Sequence, residues 1–131
     1  MASYLLDSTV LIDFLRGRAH VVRGIRALDS EGHLLAICAV NVTEVFSGML
    51  DHERDVTEEL LSTLLLWDIS YADARAAGEL RGRLRRRGKA ISVPDAMVAA
   101  VAIANNATLL TANLKDFDVP ELKVEALRSV R

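Results

Sequence analysis

The chain has 131 residues, 51% of them hydrophobic and 26% charged, and its formal net charge is -2. This length favours one domain with its own apolar core, which we expect to span residues 1–131. The balanced charge gives no overall attraction to nucleic acid or acidic membranes, so a polyanion would have to meet a local basic patch. The one cysteine, Cys38, excludes an internal disulfide, and its apolar neighbours predict a buried small hydrophobic residue rather than a nucleophile.

The first predicted element is a short apolar strand, Tyr4 to Leu6, which ends at Asp7. The next residues predict a helix because apolar side chains recur at helical spacing: Val10, Leu11, Phe14 and Leu15. Asp7 therefore stands at the carboxyl end of a strand, where open α/β sheets bind their ligands. It could equally be an ordinary helix N-cap, since Asp is a preferred capping residue.

The rest of the chain alternates predicted helices and strands. We expect helices over about 20–30, 41–49, 56–65, 71–87 and 96–105, and strands over 34–40, 66–69, 108–111 and, at an edge, 122–127. This alternation predicts an α/β fold, a three-layer α/β/α sandwich around a parallel sheet of four or five strands. Right-handed crossovers would bring the carboxyl ends of all the strands to one edge.

Two further acids lie near the starts of predicted helices. Glu44 comes three residues after Asn41, and Asp95 comes three residues after Ser92 and directly after a proline. Each could be the acid of a helix capping box, stabilised by the helix dipole. Taken singly, neither residue distinguishes a structural role from a functional one.

Taken together, the acids indicate a metal site. Asp7, Glu44 and Asp95 would share one sheet edge, and Asn113 and Asp116 would reach it after the fourth strand. Carboxylates gathered in a cleft repel one another unless a cation offsets their charge. Oxygen ligands without a nearby His or Cys favour Mg²⁺ or Mn²⁺ over Zn²⁺.

Four motifs occur in a fixed order along the chain: Leu6-Asp7-Ser8-Thr9, Val42-Thr43-Glu44-Val45, Pro94-Asp95, and Leu110-Thr111-Ala112-Asn113-Leu114-Lys115-Asp116-Phe117. In this order they resemble the PIN domain and, more narrowly, the VapC ribonuclease toxins of bacterial and archaeal toxin–antitoxin pairs. The resemblance implies a Mg²⁺- or Mn²⁺-dependent endoribonuclease that hydrolyses RNA phosphodiester bonds.

The same resemblance implies roles for particular residues. Asp7, Glu44 and Asp95 would be the catalytic metal ligands. Many PIN domains carry a fourth acid where this chain has Asn113, so the resemblance leaves open whether Asn113 or Asp116 completes the site. Three hydroxyl residues would orient the carboxylates and water, or else act only as cap and strand-end residues: Ser8, Thr9 and Thr111.

A dense basic cluster precedes Asp95 in the sequence. Its members are Arg81, Arg83, Arg85, Arg86, Arg87 and Lys89. They could contact RNA phosphates and position the substrate without reading its sequence. The alternative is a solvated helix end, where basic residues suit the dipole.

The resemblance also implies partners. These are an RNA substrate, a cognate VapB-type antitoxin whose tail would block the cleft, and a second copy of the chain in a homodimer. The apolar segments 46–50 and 60–65 could be interfaces or core. The longest apolar run, 96–104, is too short to cross a bilayer, so we expect a cytoplasmic protein with no membrane partner.

Two alternatives to a ribonuclease remain. A signalling receiver domain is also a parallel α/β fold with an acidic Mg²⁺ pocket, but the third predicted strand ends in Asp68-Ile69 without the acids and lysine that such a domain needs. A catalytically silent PIN-like module that only binds RNA or protein would be expected to lack a core acid. All three acids are present.

Overall fold

A computed structural model describes residues 1–127 and shows a parallel five-stranded sheet between two layers of helices. The strands are β1 (Ser3–Leu6), β2 (Leu34–Cys38), β3 (Leu65–Trp67), β4 (Thr108–Leu110) and β5 (Val124–Glu125). The helices are α1 (Ser8–Leu15), α2 (Ala19–Ser30), α3 (Ala39–Gly48), α4 (Arg54–Ser62), α5 (Tyr71–Arg86) and α6 (Val93–Ala104). Short 3₁₀ turns cover Asp51–Glu53 and Leu114–Phe117. Residues 128–131 of the expected domain lie outside the described residues.

The strand order is β3-β2-β1-β4-β5, with every neighbouring pair parallel. The chain builds the sheet outward from β1 to β3 and then crosses back to place β4 on the other side of β1. The strand order therefore reverses between β1 and β4, and ligands of open α/β sheets bind at such a switch point. Receiver domains use a different order, 2-1-3-4-5, so the topology excludes the receiver alternative.

Alternate residues of the central strands face opposite helix layers. Leu5 and Leu109 are fully buried in a core shared with α5 and α6. Leu6 and Leu110 lie in the second core, which the helices α1 to α3 cover. A parallel sheet that is covered on both faces needs such continuous apolar strands, so the predicted three-layer sandwich is confirmed.

The end of α5 is formed as its sequence predicts. Gly88 has φ of +74°, in the left-handed region that favours glycine. Its N–H donates to the carbonyl of Arg85, and the N–H of Lys89 donates to the carbonyl of Leu84 at 2.9 Å. These paired bonds close the last turn of the helix and fold Lys89 back over it.

The start of α3 differs from the prediction, which placed the cap at Asn41. The helix begins at Ala39, so β2 ends at Cys38 and Cys38 is the N-cap residue. Asn41 occupies the third helical position and its Oδ1 accepts a 2.9 Å hydrogen bond from the Cys38 N–H. Asn41 therefore stabilises the start of the helix from a helical position, because its side chain bonds back to Cys38, the last residue of β2.

Candidate active site

Asp7 has the backbone position of an N-cap but does not act as one. Its carboxylate makes no capping hydrogen bond to α1. Instead, Oδ2 accepts hydrogen bonds from the hydroxyls of Thr9 at 3.0 Å and Thr111 at 2.8 Å. Asp7 is only 4% exposed. Burying a carboxylate in this way is costly unless its oxygens are satisfied, so the interpretation of Asp7 as a simple cap is wrong.

Backbone groups fix the direction of these two hydroxyls. The Thr111 hydroxyl accepts from the N–H of Asn113 at 3.1 Å, and the Thr9 hydroxyl accepts from the N–H of Ala112 at 3.0 Å. Each hydroxyl is therefore free to give its proton to Asp7. Within residues 1–127, Oδ1 of Asp7 receives no hydrogen bond, so the network holds one oxygen and leaves the other for a ligand.

Glu44 joins this group from α3. Its Oε1 accepts a 2.9 Å hydrogen bond from the Ser8 hydroxyl, which belongs to the first residue of α1. Because α3 begins at Ala39, Glu44 lies in the second turn of the helix and cannot be the acid of a capping box. The capping interpretation of Glu44 is therefore wrong, and its side chain is held beside the carboxyl end of β1.

Asp95 lies in the first turn of α6, and its carboxylate does not bond back to the N–H of the N-cap residue. The Ser92 hydroxyl accepts from the Asp95 N–H at 3.2 Å, which is half of a capping box. The same sequence pattern at the start of α5 closes fully, because Asp73 also accepts from the Ser70 N–H at 3.1 Å. The Asp95 carboxylate makes no such return bond within the described residues, so it is available to the site.

The acids interact electrostatically. The pKa of Asp95 is raised, chiefly because burial disfavours the ionised form, and the negative charges of Asp7, Asp116 and Glu44 raise it further. The nearby Ser92 side chain opposes this shift, because a hydroxyl that donates to a carboxylate favours the ionised form. Three carboxylates from separate parts of the chain thus act on the carboxylate of Asp95 at one edge of the sheet, and a cation would relieve that repulsion.

No three His, Cys, Asp or Glu side chains among residues 1–127 stand close enough to hold a metal ion by themselves. Such a closed group is what Zn²⁺ usually requires. Mg²⁺ keeps several waters and is usually bound through one or two carboxylates plus substrate phosphates. The oxygen-only donor set and the open arrangement therefore fit Mg²⁺ or a similar hard cation.

The two auxiliary residues differ in how they reach the site. Asn113 is exposed and enters the Asp7 network through its backbone N–H. Asp116 is also exposed, but its charge acts on the Asp95 carboxyl. Of the two, Asp116 is the one with an electrostatic connection to the acids.

Three of the six residues in the basic cluster bond to other residues of the described chain, and three do not form ion pairs there. Arg81 donates to the carbonyl of Ile91 at 3.0 Å. Arg83 pairs with Glu121 at 3.4 Å, and Lys89 pairs with Asp118 at 2.8 Å. The remaining three are exposed and form no ion pair with any residue of the described chain: Arg85, Arg86 and Arg87.

Two buried residues, Cys38 and Asn41, lie close to the acids, and the sequence alone places neither of them there. Burial raises the pKa of the Cys38 thiol, and the charges of Asp7 and Glu44 raise it further, so the thiol stays protonated. This confirms Cys38 as a buried hydrophobic residue. Asn41 is fully buried, and its Nδ2 has no hydrogen-bond partner within residues 1–127. The only sequence signal was its spacing from Glu44, which was interpreted as a cap.

The model of the family described as the PIN domain matches residues 4–121. That range contains three of the five strands in full, most of β1, and the five candidate site residues: Asp7, Glu44, Asp95, Asn113 and Asp116. The chain belongs to the PIN-domain family.

Named relatives narrow this class. Ribonuclease VapC19 of Mycobacterium tuberculosis is 31% identical over 121 residues, covering 91% of this chain and 96% of that protein. Ribonuclease VapC10 of the same organism is 32% identical over 117 residues, covering 89% and 87%. The crystal structure of VapBC2 from Rickettsia felis bound to a promoter DNA fragment aligns with a TM-score of 0.83 and 26% identity, over 96% of this chain and 99% of that chain. VapC ribonucleases of this family depend on a divalent metal in general.

In residues 1–127, no helix combines the length and apolar character that crossing a membrane requires.

Proposed function

We propose that the chain is a VapC-type toxin, a Mg²⁺-dependent endoribonuclease in which Asp7, Glu44 and Asp95 form the catalytic metal site. Mn²⁺ is the alternative ion. The observation that carries the proposal is the Asp7 carboxylate, buried at the β1–β4 switch point with one oxygen held by Thr9 and Thr111. A buried carboxylate that is close to two further acids destabilises the folded state unless it binds a cation.

The site residues have separate tasks in this proposal. The bound ion would lower the pKa of a water and offset the charge that develops on the phosphodiester oxygens. Thr9 and Thr111 hold Asp7, and Ser8 holds Glu44, so that the carboxylates do not need to reorganise when substrate arrives. Asp95 supplies the third carboxylate from the opposite helix layer, and Asp116 is the auxiliary candidate in place of Asn113.

The substrate is RNA, and cations must offset the negative charge of the acidic edge. The exposed residues Arg85, Arg86 and Arg87 supply positive charge just before α6, the helix that carries Asp95. Phosphate contacts from such residues position a strand and carry no sequence information. Arg81, Arg83 and Lys89 belong to the same proposed RNA-binding surface, although each also has a partner within the protein.

We also propose a VapB-type antitoxin and a second copy of the chain as partners, with the single domain acting in the cytoplasm. The support for the antitoxin is the solved VapBC assembly whose fold this chain shares. Both partnerships need apolar surface, and the structure leaves several large apolar side chains about half exposed or more: Leu50, Val56, Leu65 and Leu66. The apolar segment 60–65 is mainly core, since Leu60, Leu61 and Leu64 pack against the core that α1 to α3 cover.

The proposed function is tested by incubating the purified chain with mixed cellular RNA and Mg²⁺. We expect cleavage that EDTA abolishes and Mg²⁺ restores. Asp95→Asn should abolish it, whereas Asp73→Asn should not, because Asp73 occupies the same helical position in α5 but returns its carboxylate to the cap. Cleavage that persists in EDTA would overturn the metal proposal. RNA binding without cleavage by the wild-type chain would establish the silent module instead.

A further inference from the structure

Three cations surround one small recess close to the catalytic edge. The recess has a volume of about 80 Å³ and lies between the last turns of α5 and the segment that follows. Its lining is Arg81, Arg85, Lys89, Ala90 and Ile91. Among the described residues its lining includes no carboxylate, and its three cations outnumber the one carboxylate that pairs with them, Asp118, so the recess is positive overall. An anion is the ligand whose charge such a recess complements.

The sequence builds this recess from local structure. Arg81 and Arg85 are four residues apart on α5, so their side chains leave the same face of the helix. The turn at Gly88 then folds the chain back, and the Lys89 N–H bonds to the carbonyl of Leu84 at 2.9 Å. Lys89 is thereby placed over the last turn of α5, next to Arg85.

Two of the three cations are held in place and keep donors to spare. The Arg81 Nε–H is used by the carbonyl of Ile91, which fixes the guanidinium plane and leaves its four other N–H groups. Lys89 gives one N–H to Asp118 and keeps two. Arg85 forms no ion pair within residues 1–127. Donors that are already positioned lose little entropy when they bind a ligand.

The recess lies a short distance along the chain from the acids. Ile91 precedes Ser92, the N-cap of α6, and Asp95 lies four positions after Ile91. Four residues span at most about 14 Å even when extended. The recess is therefore within reach of a strand whose cleaved phosphodiester lies at Asp95, a few nucleotides from that bond.

We propose that Arg81, Arg85 and Lys89 form a subsite for one backbone phosphate of the RNA, a few nucleotides from the bond that is cut. The inference rests on the proposed ribonuclease function and adds to it a fixed contact point on the substrate. Arg86 and Arg87 lie outside the recess and supply only general attraction. The subsite would set where the strand lies relative to the acids without reading its bases.

Binding measurements on matched variants test the subsite. The probe is a single-stranded RNA oligonucleotide of mixed sequence, and all variants carry Asp95→Asn so that the probe stays intact. Arg85→Gln and Arg86→Gln remove the same charge from adjacent exposed positions, but only Arg85 lines the recess. Lys89→Gln is a second recess variant that does not alter α5 itself.

We expect Arg85→Gln and Lys89→Gln each to weaken RNA binding several-fold. Each should also reduce the slope of log Kd against log salt by about 0.7, the value for one phosphate contact of a single strand. Arg86→Gln should reduce the slope by clearly less than either recess variant does. Equal effects of Arg85→Gln and Arg86→Gln, or no effect of any variant, would overturn the subsite and reduce the cluster to a diffuse basic surface.

The test of the subsite can be distinguished from the test of the ribonuclease function. RNA binding is measured on the Asp95→Asn variants, whereas cleavage is measured on the chain with Asp95 intact. Cleavage by that chain together with equal binding by the Arg85 and Arg86 variants would reject the subsite and keep the ribonuclease. Absence of cleavage together with a selective loss of binding in the recess variants would reject the ribonuclease and keep the subsite as a feature of an RNA-binding module.

Discussion

The hydroxyl of Thr111 donates a 2.8 Å hydrogen bond to Oδ2 of Asp7, joining residues that are 104 positions apart in the chain. Asp7 follows β1 and Thr111 follows β4, so this bond crosses the switch point of the sheet. It explains how a buried carboxylate can keep its orientation before any cation arrives. The hydroxyl is itself fixed by the Asn113 N–H, so the whole arrangement is part of the fold.

Removing that hydroxyl should weaken metal binding. Thr111→Val keeps the side-chain shape but deletes the bond to Asp7, and loss of such an outer contact typically costs about 10- to 100-fold in metal affinity or activity. Mg²⁺ titration followed by calorimetry, with RNA cleavage in parallel, measures the loss. The matched control is Thr57→Val, since Thr57 is equally buried but donates to a carbonyl of its own helix region, Glu53. Equal losses in the two variants would show that Thr111 has no specific role in the site.

The raised pKa of Asp95 predicts how stability depends on pH in metal-free protein. The folded chain holds this proton to a higher pH than the unfolded chain does. The free energy of unfolding should therefore fall as pH rises from the ordinary Asp pKa of about 3.9 through the raised pKa. Above the raised pKa the ionised Asp95 carboxylate destabilises the fold by its full amount. Asp95→Asn removes the penalty, so in EDTA at neutral pH it should melt at a higher temperature than the wild-type chain.

Asp73→Asn should have the opposite effect on melting. The Asp73 carboxylate completes a capping box and lies near the positive end of the helix dipole, so its loss should cost about 0.5–1 kcal/mol. Melting curves of the wild-type chain and the two variants across pH, with and without Mg²⁺, make the comparison. A lower melting temperature for Asp95→Asn in EDTA would show that the Asp95 carboxylate stabilises the metal-free fold, against this account.

Glycine substitutions test the end of α5. Gly88→Ala should destabilise the chain by about 1 kcal/mol, because φ of +74° disfavours a side chain even though no atom obstructs it. Gly78→Ala, in the same helix and also in open space, should instead stabilise it by about 0.5–1 kcal/mol. Chemical unfolding measures both. Matching signs for the two variants would contradict the left-handed turn that positions Lys89.

The buried thiol should be inert in the native protein. Cys38 is fully buried, and its pKa is raised by burial and by the neighbouring acids, so little thiolate exists to react. Iodoacetamide should label the chain in urea and leave the native chain unmodified, as mass spectrometry would show. Rapid labelling of the native protein would mean that the end of β2 opens readily.

Much of the fold, and the placement of Asp7, Glu44 and Asp95 near one another, could be predicted from sequence, because hydrophobic periodicity and strand ends are local signals. The role of each acid could not. Ser70–Asp73 and Ser92–Asp95 share one pattern, yet only the first closes a capping box. Asp95 differs because Asp7, Glu44 and Asp116 surround it, and those neighbours come from distant parts of the chain.

The basic cluster shows the same limit. The six basic residues are neighbours in sequence, but some of them bond to residues elsewhere in the chain and others do not. Lys89, for example, pairs with Asp118. The sequence also could not predict which residue caps α3. An asparagine can bond to the start of a helix either as the N-cap residue or, as Asn41 does, from the third helical position. Only the folded arrangement, in which the Cys38 N–H donates to the side-chain Oδ1 of Asn41, distinguishes the two.

The most direct test of the central claim is an anomalous scattering map from crystals of the wild-type chain grown with Mn²⁺. The account predicts a strong peak at the carboxyl ends of β1 and β4, in contact with the carboxylates of Asp7 and Asp95 and lost in Asp7→Asn crystals. An active ribonuclease with its Mn²⁺ peak elsewhere, or with no peak among Asp7, Glu44 and Asp95, would contradict it.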